Sequence, residues 1–411
     1  MKTKIIMAIG VGLLSAQYAD AQFLGHLKDK INQKVNEAVD KKIDKVTSGT
    51  GNAGTSSTNG NAAVSKSGGT NASLKTYSKY DFVAGDKIIT YDDFSQNEIG
   101  DFPGKWNTNA SGEVMTVERK EGKWLNVSKE GLYIPLTVKT LPDNFTLEYD
   151  VVFLPAANYN GPNTAGFGFQ LAHVDFKKDN FIYHTAYAEF LVSPYRGYFQ
   201  YESYKPDGEK VLNNETKIAG LDRQHVQSYH VAVWRQKGRV RVYLNENKVC
   251  DLPTVLPSTE SYNAIRFKTE QNNDGSNWLI TNVKLASGAP DMRNKLISEG
   301  KLSTTGILFD VNAATINAAS YGTLKQISQV LQENPDLKVK IVGHTDSDGD
   351  NASNLSLSQK RAEAVKTTFS KEFGIDASRM QTEGKGSSQP VSPNTTSEGK
   401  ASNRRVEFIK L

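Results

Sequence analysis

Residues 337–362 read LKVKIVGHTDSDGDNASNLSLSQKRA, and this stretch decides the fold of the C-terminal part of the chain. Its alternating apolar residues predict a strand over Leu337–Val342. The apolar spacing that follows predicts a helix over Ser356–Phe373, with Ser356 as its capping residue. A polar loop that contains three aspartates and two glycines joins the two elements.

The sequence on both sides of this stretch continues to alternate between strand and helix signals. A helix is predicted from about Ala318 to Glu333, ending before Pro335. Strands are predicted at Gly306–Val311, near Met380–Glu383 and at Arg405–Ile409. Together these elements predict an α+β domain over residues 304–411.

Five short motifs in this region resemble the OmpA-like C-terminal domain family. They are Leu308–Asn312, Gly343–Asp346, Asn354–Ala362, Gly384–Gly386 and Asn403–Val406. The resemblance implies non-covalent binding to the diaminopimelate residue of peptidoglycan stem peptides. Its two key ligand residues map to Asp346 and Arg361, and the family's asparagine maps to Asn354. The same motifs add further ligand-binding candidates, namely Thr345, Asp310, Asn312 and Arg404.

The chemistry of the central pair agrees with this implied role. The side-chain end of diaminopimelate carries one ammonium and one carboxylate, so its site needs a fixed anion beside a fixed cation. Asp346 follows the predicted strand, and Arg361 lies early in the predicted helix, where backbone N–H groups also favour an anion. Arginine offers a planar fork to a carboxylate. The alternative interpretation is a surface ion pair between the two residues.

No metal, cofactor or catalytic residue is expected in this domain. Asp346–Asp350 superficially matches a calcium-binding loop, but glycine and glutamate do not stand at the positions that an EF-hand requires. His344 has no accompanying nucleophile, and we interpret it as a conformational member of the loop.

The first residues have the pattern of a targeting segment. Lys2 and Lys4 precede the apolar run Ile5–Ala16, and small residues stand at the −3 and −1 positions before Gln22. Residues 1–21 are therefore predicted to be a secretory signal peptide. A membrane anchor is the alternative, but the run is shorter than the roughly 20 residues that cross a bilayer. The expected location is the cell envelope, on the periplasmic side of the outer membrane.

Two further segments precede the folded part. Apolar residues at spacings of three and four predict an amphipathic helix over residues 22–47. Self-association through residues 23–46, contact with a membrane surface and docking on the same chain all remain open. Small and polar residues dominate residues 48–76 and predict a flexible linker.

Residues 77–288 are dominated by short strand signals separated by turn chemistry. Along the run Arg239–Leu244, for example, apolar residues alternate with polar ones, which predicts one buried face and one wet face. These signals predict an antiparallel, jelly-roll-like β-sandwich, and residues 289–303 are predicted to connect it to the next domain. An outer-membrane β-barrel is the rival, although strands of five to seven residues are short for one. The order of Trp234, Val240–Asn245 and Asn282 resembles laminin-G and concanavalin-like jelly rolls.

The middle region contains few residues that suggest a catalytic, metal or ligand site. Glu148 and Asp150 alternate as a glycosidase pair would, but we interpret them as solvated surface because no third acid follows. His225 and His230 should lie on opposite strand faces, which argues against a shared metal. Tyrosines such as Tyr204 could stack on sugars or form cross-strand packing pairs.

Composition limits the class of function. The chain has 411 residues with 49 basic and 45 acidic side chains, so its formal net charge of +4 argues against a nucleic-acid binder. Cys250 is the single cysteine, which excludes an intrachain disulfide. The sequence predicts a non-enzymatic envelope protein held to peptidoglycan, whose β-sandwich binds a glycan or an envelope protein. The alternatives are a wall-held carbohydrate-active enzyme and an outer-membrane barrel with a periplasmic OmpA-like domain.

Overall fold

The computed structural model describes residues 80–411 apart from residue 139 and residues 157–165, 175–185, 222–224, 271–274 and 289–290. The chain divides into two units, residues 1–70 and 71–411, and the structure below belongs to the second. The predicted signal peptide (1–21), amphipathic helix (22–47) and linker (48–76) lie outside the described residues.

Most of the strands form two antiparallel sheets, here called sheet A and sheet B. Sheet A has the order β13-β12-β11-β6-β15-β4-β3, and β1 pairs with the C-terminal half of β15. Its strands are β1 (Lys87–Asp92), β3 (Glu113–Met115), β4 (Trp124–Asn126), β6 (Asn144–Leu154), β11 (Gln227–Gln236), β12 (Arg239–Leu244), β13 (Asn247–Leu252) and β15 (Asn277–Ser287).

Sheet B has the order β10-β9-β8-β7-β14-β5-β2. Its strands are β2 (Trp106–Thr108), β5 (Gly131–Pro135), β7 (Phe167–Ala172), β8 (Tyr187–Ser193), β9 (Tyr198–Tyr204), β10 (Lys210–Lys217) and β14 (Ala264–Thr269). Burial alternates along β9, as the period-two geometry of a strand with one covered face predicts, whereas β7 and most of β8 and β14 are buried on both faces.

Side chains from the two sheets meet in one apolar core. The rings of Tyr149 on β6 and Phe267 on β14 lie 5.1 Å apart in an edge-to-face contact. Trp278 on β15 stacks on Phe167 of β7 at 5.3 Å and has no exposed surface. Because these contacts join opposite sheets, they define a face-to-face sandwich. The predicted antiparallel β-sandwich is confirmed.

The outer face of sheet A is covered, contrary to the expectation of one wet face. On β6, Leu147 points into the sandwich core, while Glu148 lies on the opposite face and is also buried. Trp234 and Tyr243 lie on that opposite face and contact Phe82 at ring distances of 6.5 and 5.6 Å. These three rings belong to the same apolar cluster as the core of the C-terminal domain. Strand periodicity shows which residues share a face, but it does not show that a second domain covers it.

The C-terminal domain alternates helices with the strands of a smaller sheet, sheet C. Its elements are α1 (Met292–Ile297), β16 (Lys301–Thr304), α2 (Tyr321–Glu333), β17 (Val339–His344), α3 (Asn351–Phe373), β18 (Met380–Gly386), α4 (Ser397–Asn403) and β19 (Val406–Lys410), with 3-10 turns at Ala318–Ser320 and Ala377–Arg379. Sheet C has the order β16-β19-β17-β18, in which β17 and β18 run parallel. This confirms the predicted α+β domain. Residues 289–303, predicted as a connector, contain α1 and most of β16.

Two local predictions in this domain are wrong. Residues 306–311 are not a strand, since Leu308 N–H donates to Ser320 Oγ (2.8 Å) rather than to a neighbouring strand. The edge strand is instead β16, which pairs with β19. The helix α3 begins at Asn351 rather than Ser356, because the Asp350 carboxylate accepts a hydrogen bond from Ser353 N–H (2.8 Å) and caps it.

The sandwich and the C-terminal domain are in close contact. The backbones of Gly322 on α2 and Phe82 approach so closely that a Cβ at Gly322 would lie 1.9 Å from the Phe82 carbonyl oxygen. Ser397 on α4 hydrogen-bonds with Asp93 of the sandwich at 3.2 Å. Polar and apolar contacts therefore both hold the two domains together.

Candidate functional site

A cavity of about 640 Å³ lies between the sandwich and the C-terminal domain. Its C-terminal wall includes every residue that the sequence predicted for the ligand site: Asp310, Asn312, Thr345, Asp346, Asn354, Arg361 and Arg404. Its other wall comes from the outer face of sheet A and the residue that follows β1: Ile88, Tyr91, Asp93, Glu148, Asp150, His230, Asn282 and Lys284. The fold thus brings the predicted residues to one place, next to residues that were not predicted.

The loop after β17 is held by hydrogen bonds at both ends. Thr345 N–H donates to the Gly386 carbonyl at 3.0 Å, which ties the start of the loop to the end of β18. The Asn354 side-chain amide donates to the Asp348 carbonyl at 2.8 Å, and Asn354 is buried. Asn354 therefore shapes the loop from its place on α3.

Asp346 lies near the start of this loop and forms an ion pair with Arg404. Arg404 Nη1 donates to Asp346 Oδ2 at 2.6 Å, and Asp348 N–H donates to Asp346 Oδ1 at 3.1 Å. The Thr345 hydroxyl donates to the Asp346 carbonyl at 2.8 Å, so Thr345 supports the backbone of the loop. The Asp346 side chain is 11% exposed, and its two carboxylate oxygens offer about four acceptor sites in total. A ligand ammonium can therefore share the carboxylate with Arg404.

Arg361 projects from the interior of α3 rather than from its start. It lies about three turns after Asn351, because 3.6 residues make one turn, so the N-terminal backbone does not assist it as expected. Its Nε donates to the Ala313 carbonyl at 2.9 Å, and its guanidinium carbon lies 4.9 Å from the centre of the Phe309 ring. These contacts fix the Arg361 guanidinium in one orientation.

The turn at residues 310–313 holds Arg361 through its backbone. Ala313 N–H donates to the Asp310 carbonyl at 3.1 Å, and Asn312 adopts a left-handed backbone with φ 52°. Arg361 Nη2 makes a longer contact of 3.4 Å with the Asp310 carbonyl. The side chains of Asp310 and Asn312 are exposed at the mouth of the cavity.

Asp346 and Arg361 differ in whether an opposite charge pairs with them. Arg404 neutralises Asp346, whereas Arg361 forms no ion pair with any carboxylate in the described part of the chain. Burial and the neighbouring charge of Arg404 lower the pKa of Arg361, and Asp346 partly opposes them. Even so lowered, a guanidinium stays charged at neutral pH. The cavity thus presents one guanidinium without a counter-charge beside a carboxylate that can accept more hydrogen bonds.

Residues 308–404 match the sequence profile of the OmpA family. These residues form an OmpA family domain. The matched region begins at the Leu308–Asn312 motif and ends at Arg404, so it includes every residue of the predicted ligand site. The resemblance to the OmpA-like C-terminal domain family, inferred from the sequence motifs, is confirmed.

Several known proteins are similar to this chain over about a quarter of its length. The probable lipoprotein YiaD of Escherichia coli (strain K12) is 44% identical over 102 residues, which are 25% of this chain and 46% of that protein. Outer membrane porin F of Pseudomonas aeruginosa is 38% identical over 101 residues, which are 25% of this chain and 29% of that protein. Outer-membrane lipoprotein YfiB of the same species is 40% identical over 103 residues, 25% of this chain and 61% of that protein. The matched region therefore spans less than two thirds of each.

Among solved structures, a peptidoglycan-associated lipoprotein from Burkholderia pseudomallei matches at 27% identity. The match covers 29% of this chain and 100% of that chain, with a TM-score of 0.26. The cell wall anchor of the T6SS from Pseudomonas aeruginosa matches at 26% identity over 29% of this chain and 93% of that chain, with a TM-score of 0.25.

The wall that faces the OmpA domain carries a buried charge cluster. Lys284 Nζ lies 2.7 Å from Glu148 Oε1, and His230 lies between Glu148 at 3.5 Å and Asp150 at 2.8 Å. Burial alone would raise the pKa of Glu148, but Lys284 and His230 outweigh it and lower the value to about 2. Burial alone would lower the pKa of His230, but Asp150 and Glu148 raise it to about 10. Glu148 is therefore a charged carboxylate and His230 a charged imidazolium at neutral pH.

Sequence reasoning missed this cluster. Glu148 was interpreted as solvated surface, and it is 3% exposed. The feature that reveals the cluster is the cross-strand register, since Asp150 stands opposite His230 and Glu148 stands opposite Lys284. That register becomes visible only when β6, β11 and β15 have been paired.

Two further observations concern the described residues alone. They contain no group of three histidine, cysteine, aspartate or glutamate side chains placed to hold a metal ion. Of the helices they form, none is both long and apolar enough to cross a bilayer.

Proposed function

We propose that this protein is a cell-envelope protein, exported by its signal peptide and held non-covalently to peptidoglycan on the periplasmic side of the outer membrane. The OmpA domain would bind the diaminopimelate residue of the stem peptide. Asp346 accepts hydrogen bonds from the ligand ammonium, and Arg361 donates its fork to the ligand carboxylate. No step in this proposal requires catalysis, so we propose a binding protein rather than an enzyme.

One observation carries this proposal. Arg361 is half-buried, fixed by the Ala313 carbonyl and the Phe309 ring, and without a carboxylate partner in the described residues, in the same cavity as Asp346. A desolvated guanidinium without a counter-charge gains from a ligand carboxylate, because hydrogen bonds between charged groups are the strong ones. The names of the similar proteins, which include outer-membrane porins and lipoproteins, support the envelope location.

Sedimentation with purified cell walls tests the proposal. The whole protein is expected to co-sediment with sacculi whose stem peptides contain diaminopimelate, and free diaminopimelate should compete. Sacculi that carry lysine at the same position are the control, because lysine lacks the side-chain carboxylate that Arg361 would meet. Equal binding to both wall types, or none to the first, would contradict the proposed ligand.

For the β-sandwich we propose a glycan ligand on the outer face of sheet B. Tyr187 and Tyr204 stack there with ring centres 4.5 Å apart, and both are half-buried. Glu202 accepts a hydrogen bond from the Tyr204 hydroxyl and pairs with Lys210 at 2.8 Å. Half-exposed rings beside charged groups combine an apolar surface with hydrogen-bonding edges, which suits a sugar.

Calorimetry with glycan strands freed of stem peptides tests this second proposal. Tyr204→Ala is expected to weaken binding several-fold, because it removes the half-exposed ring from the stacked pair. Tyr195→Ala, in the turn between β8 and β9, is the control. Unchanged binding by the Tyr204 variant, or no binding by the wild type, would leave the rings as a packing pair only.

A further inference from the structure

The sandwich side of the cavity has an aromatic ring directly against the OmpA domain. Tyr91 lies on β1, which pairs with the C-terminal half of β15, and it is 9% exposed. The guanidinium carbon of Arg404 lies 5.5 Å from the centre of the Tyr91 ring. A cation over an aromatic face at this distance is attracted by the ring. Tyr91 therefore contacts the residue that pairs with Asp346.

The ring of Tyr91 is itself held in place. Its hydroxyl donates to Asn282 Oδ1 at 2.7 Å, a contact between residues 191 positions apart in the sequence. Asn282 Nδ2 in turn donates to Asp150 Oδ2 at 2.7 Å. Asn282 has a left-handed backbone with φ 53° and lies in a β-bulge of β15, and a bulge re-aims a side chain relative to regular pairing.

The chain of contacts ends in the buried charge cluster. Asp150 Oδ1 contacts His230 Nδ1 at 2.8 Å, and the pKa of His230 is raised, so its charge persists at neutral pH. Both oxygens of Asp150 are thereby engaged, one by Asn282 and one by His230. The Asn282 side chain therefore has little freedom to rotate. The Tyr91 ring, which Asn282 holds, is restricted in the same way.

Arg404 connects this rigid support to the ligand site. An arginine side chain has considerable rotamer freedom, and its end stays in one position only where several contacts fix it. Here Asp346 holds one edge of the guanidinium at 2.6 Å and Tyr91 lies against its face. The position of Arg404 sets how much of the Asp346 carboxylate a ligand ammonium can reach.

We infer that Tyr91 is a positioning residue for peptidoglycan binding, and that the β-sandwich is therefore part of the binding site. This inference rests on the proposed function of the OmpA domain. Tyr91 acts through Arg404 on Asp346 and does not need to touch the ligand. The ligand class is the zwitterionic end of a diaminopimelate stem peptide.

Binding of the full chain to diaminopimelate-containing sacculi tests the inference. Tyr91→Leu, which removes the ring, is expected to lower the affinity roughly three- to tenfold. Tyr91→Phe keeps the ring under Arg404 but loses the hydrogen bond to Asn282, so its affinity is expected to lie between those of the wild type and Tyr91→Leu. Thermal unfolding of both variants shows that the fold is retained.

A double-mutant cycle separates positioning from a general structural effect. In an Arg404→Leu background, Tyr91→Leu is expected to cause no further loss, because Tyr91 acts through Arg404. Additive losses would overturn the inference. As a second measurement, the Arg404 Nε–H proton should show an upfield ring-current shift in the NMR spectrum, kept in Tyr91→Phe and lost in Tyr91→Leu. An unchanged shift in Tyr91→Leu would also overturn it.

The two proposals fail in different ways. If the wild type binds sacculi and Tyr91→Leu binds them equally well, the positioning role is wrong and the proposed function stands. If the wild type does not bind sacculi, the proposed function is wrong, and the binding role of Tyr91 falls with it.

Discussion

Arg361→Ala is expected to lower the affinity for diaminopimelate-containing sacculi by roughly ten- to hundredfold. The estimate follows because a hydrogen bond to a charged group contributes roughly 1.5–3 kcal/mol, and about 1.4 kcal/mol changes a binding constant tenfold. The loss includes the cost of leaving the ligand carboxylate partly desolvated and unpaired. Co-sedimentation at increasing concentrations of sacculi measures it.

Three companion variants sharpen this result. Arg361→Lys keeps the charge but cannot reproduce the planar fork, so it should also weaken binding. Asp346→Asn removes the partner of the ligand ammonium and should weaken binding comparably. Lys338→Ala changes an exposed cation next to β17 and outside the cavity, and should bind like the wild type. If the Arg361 and Asp346 variants fold normally and still sediment like the wild type, the site assignment is wrong.

Lys284→Met is expected to lower the free energy of unfolding by about 3 kcal/mol, because it leaves the buried Glu148 carboxylate without its closest cation. Lys284 and Glu148 are 7% and 3% exposed, and 2.7 Å separates their charged atoms. The effect should fall at the lower end of the range for broken buried pairs, since His230 still faces Glu148. Chemical denaturation of the whole protein measures the change.

The double variant Glu148→Gln/Lys284→Met shows whether the unpaired charge causes the loss. It is expected to be more stable than Lys284→Met alone, because no carboxylate is then left buried without its lysine. Lys205→Met is the control, since Lys205 and Glu209 form an exposed pair, and its removal should change stability little. A single variant as stable as the wild type would mean that Glu148 does not depend on Lys284.

Local sequence patterns predicted the elements that local interactions determine. The alternation along Arg239–Leu244 predicted a strand, and β12 covers Arg239–Leu244. The start of α3 was predicted at Ser356, but the helix begins at Asn351. Asp350 caps it, and aspartate is a common residue at that position. The N-terminus was placed too late because the apolar spacing begins only after the first turns, which are polar.

In the candidate site, too, local motifs predicted some features and only the tertiary structure shows the others. The motifs at Gly343–Asp346 and Asn354–Ala362 identified Asp346, Asn354 and Arg361, because the family resemblance is carried by a contiguous loop and helix. The pairing of Asp346 with Arg404 was not predicted, since it depends on where β19 and the two residues before it lie beside β17.

By itself, the sequence determined the strands of the sandwich, the α+β nature of the C-terminal domain and the residues of its candidate ligand site. These follow from periodicity and from motifs, which act over a few residues. Only the tertiary structure decided that Glu148 is buried, that Tyr91 lies under Arg404 and that the cavity has a second wall. The physical reason is that these features arise where two domains meet. Strand alternation specifies that a residue lies on a given face, but the burial and charge state of that face depend on what packs against it.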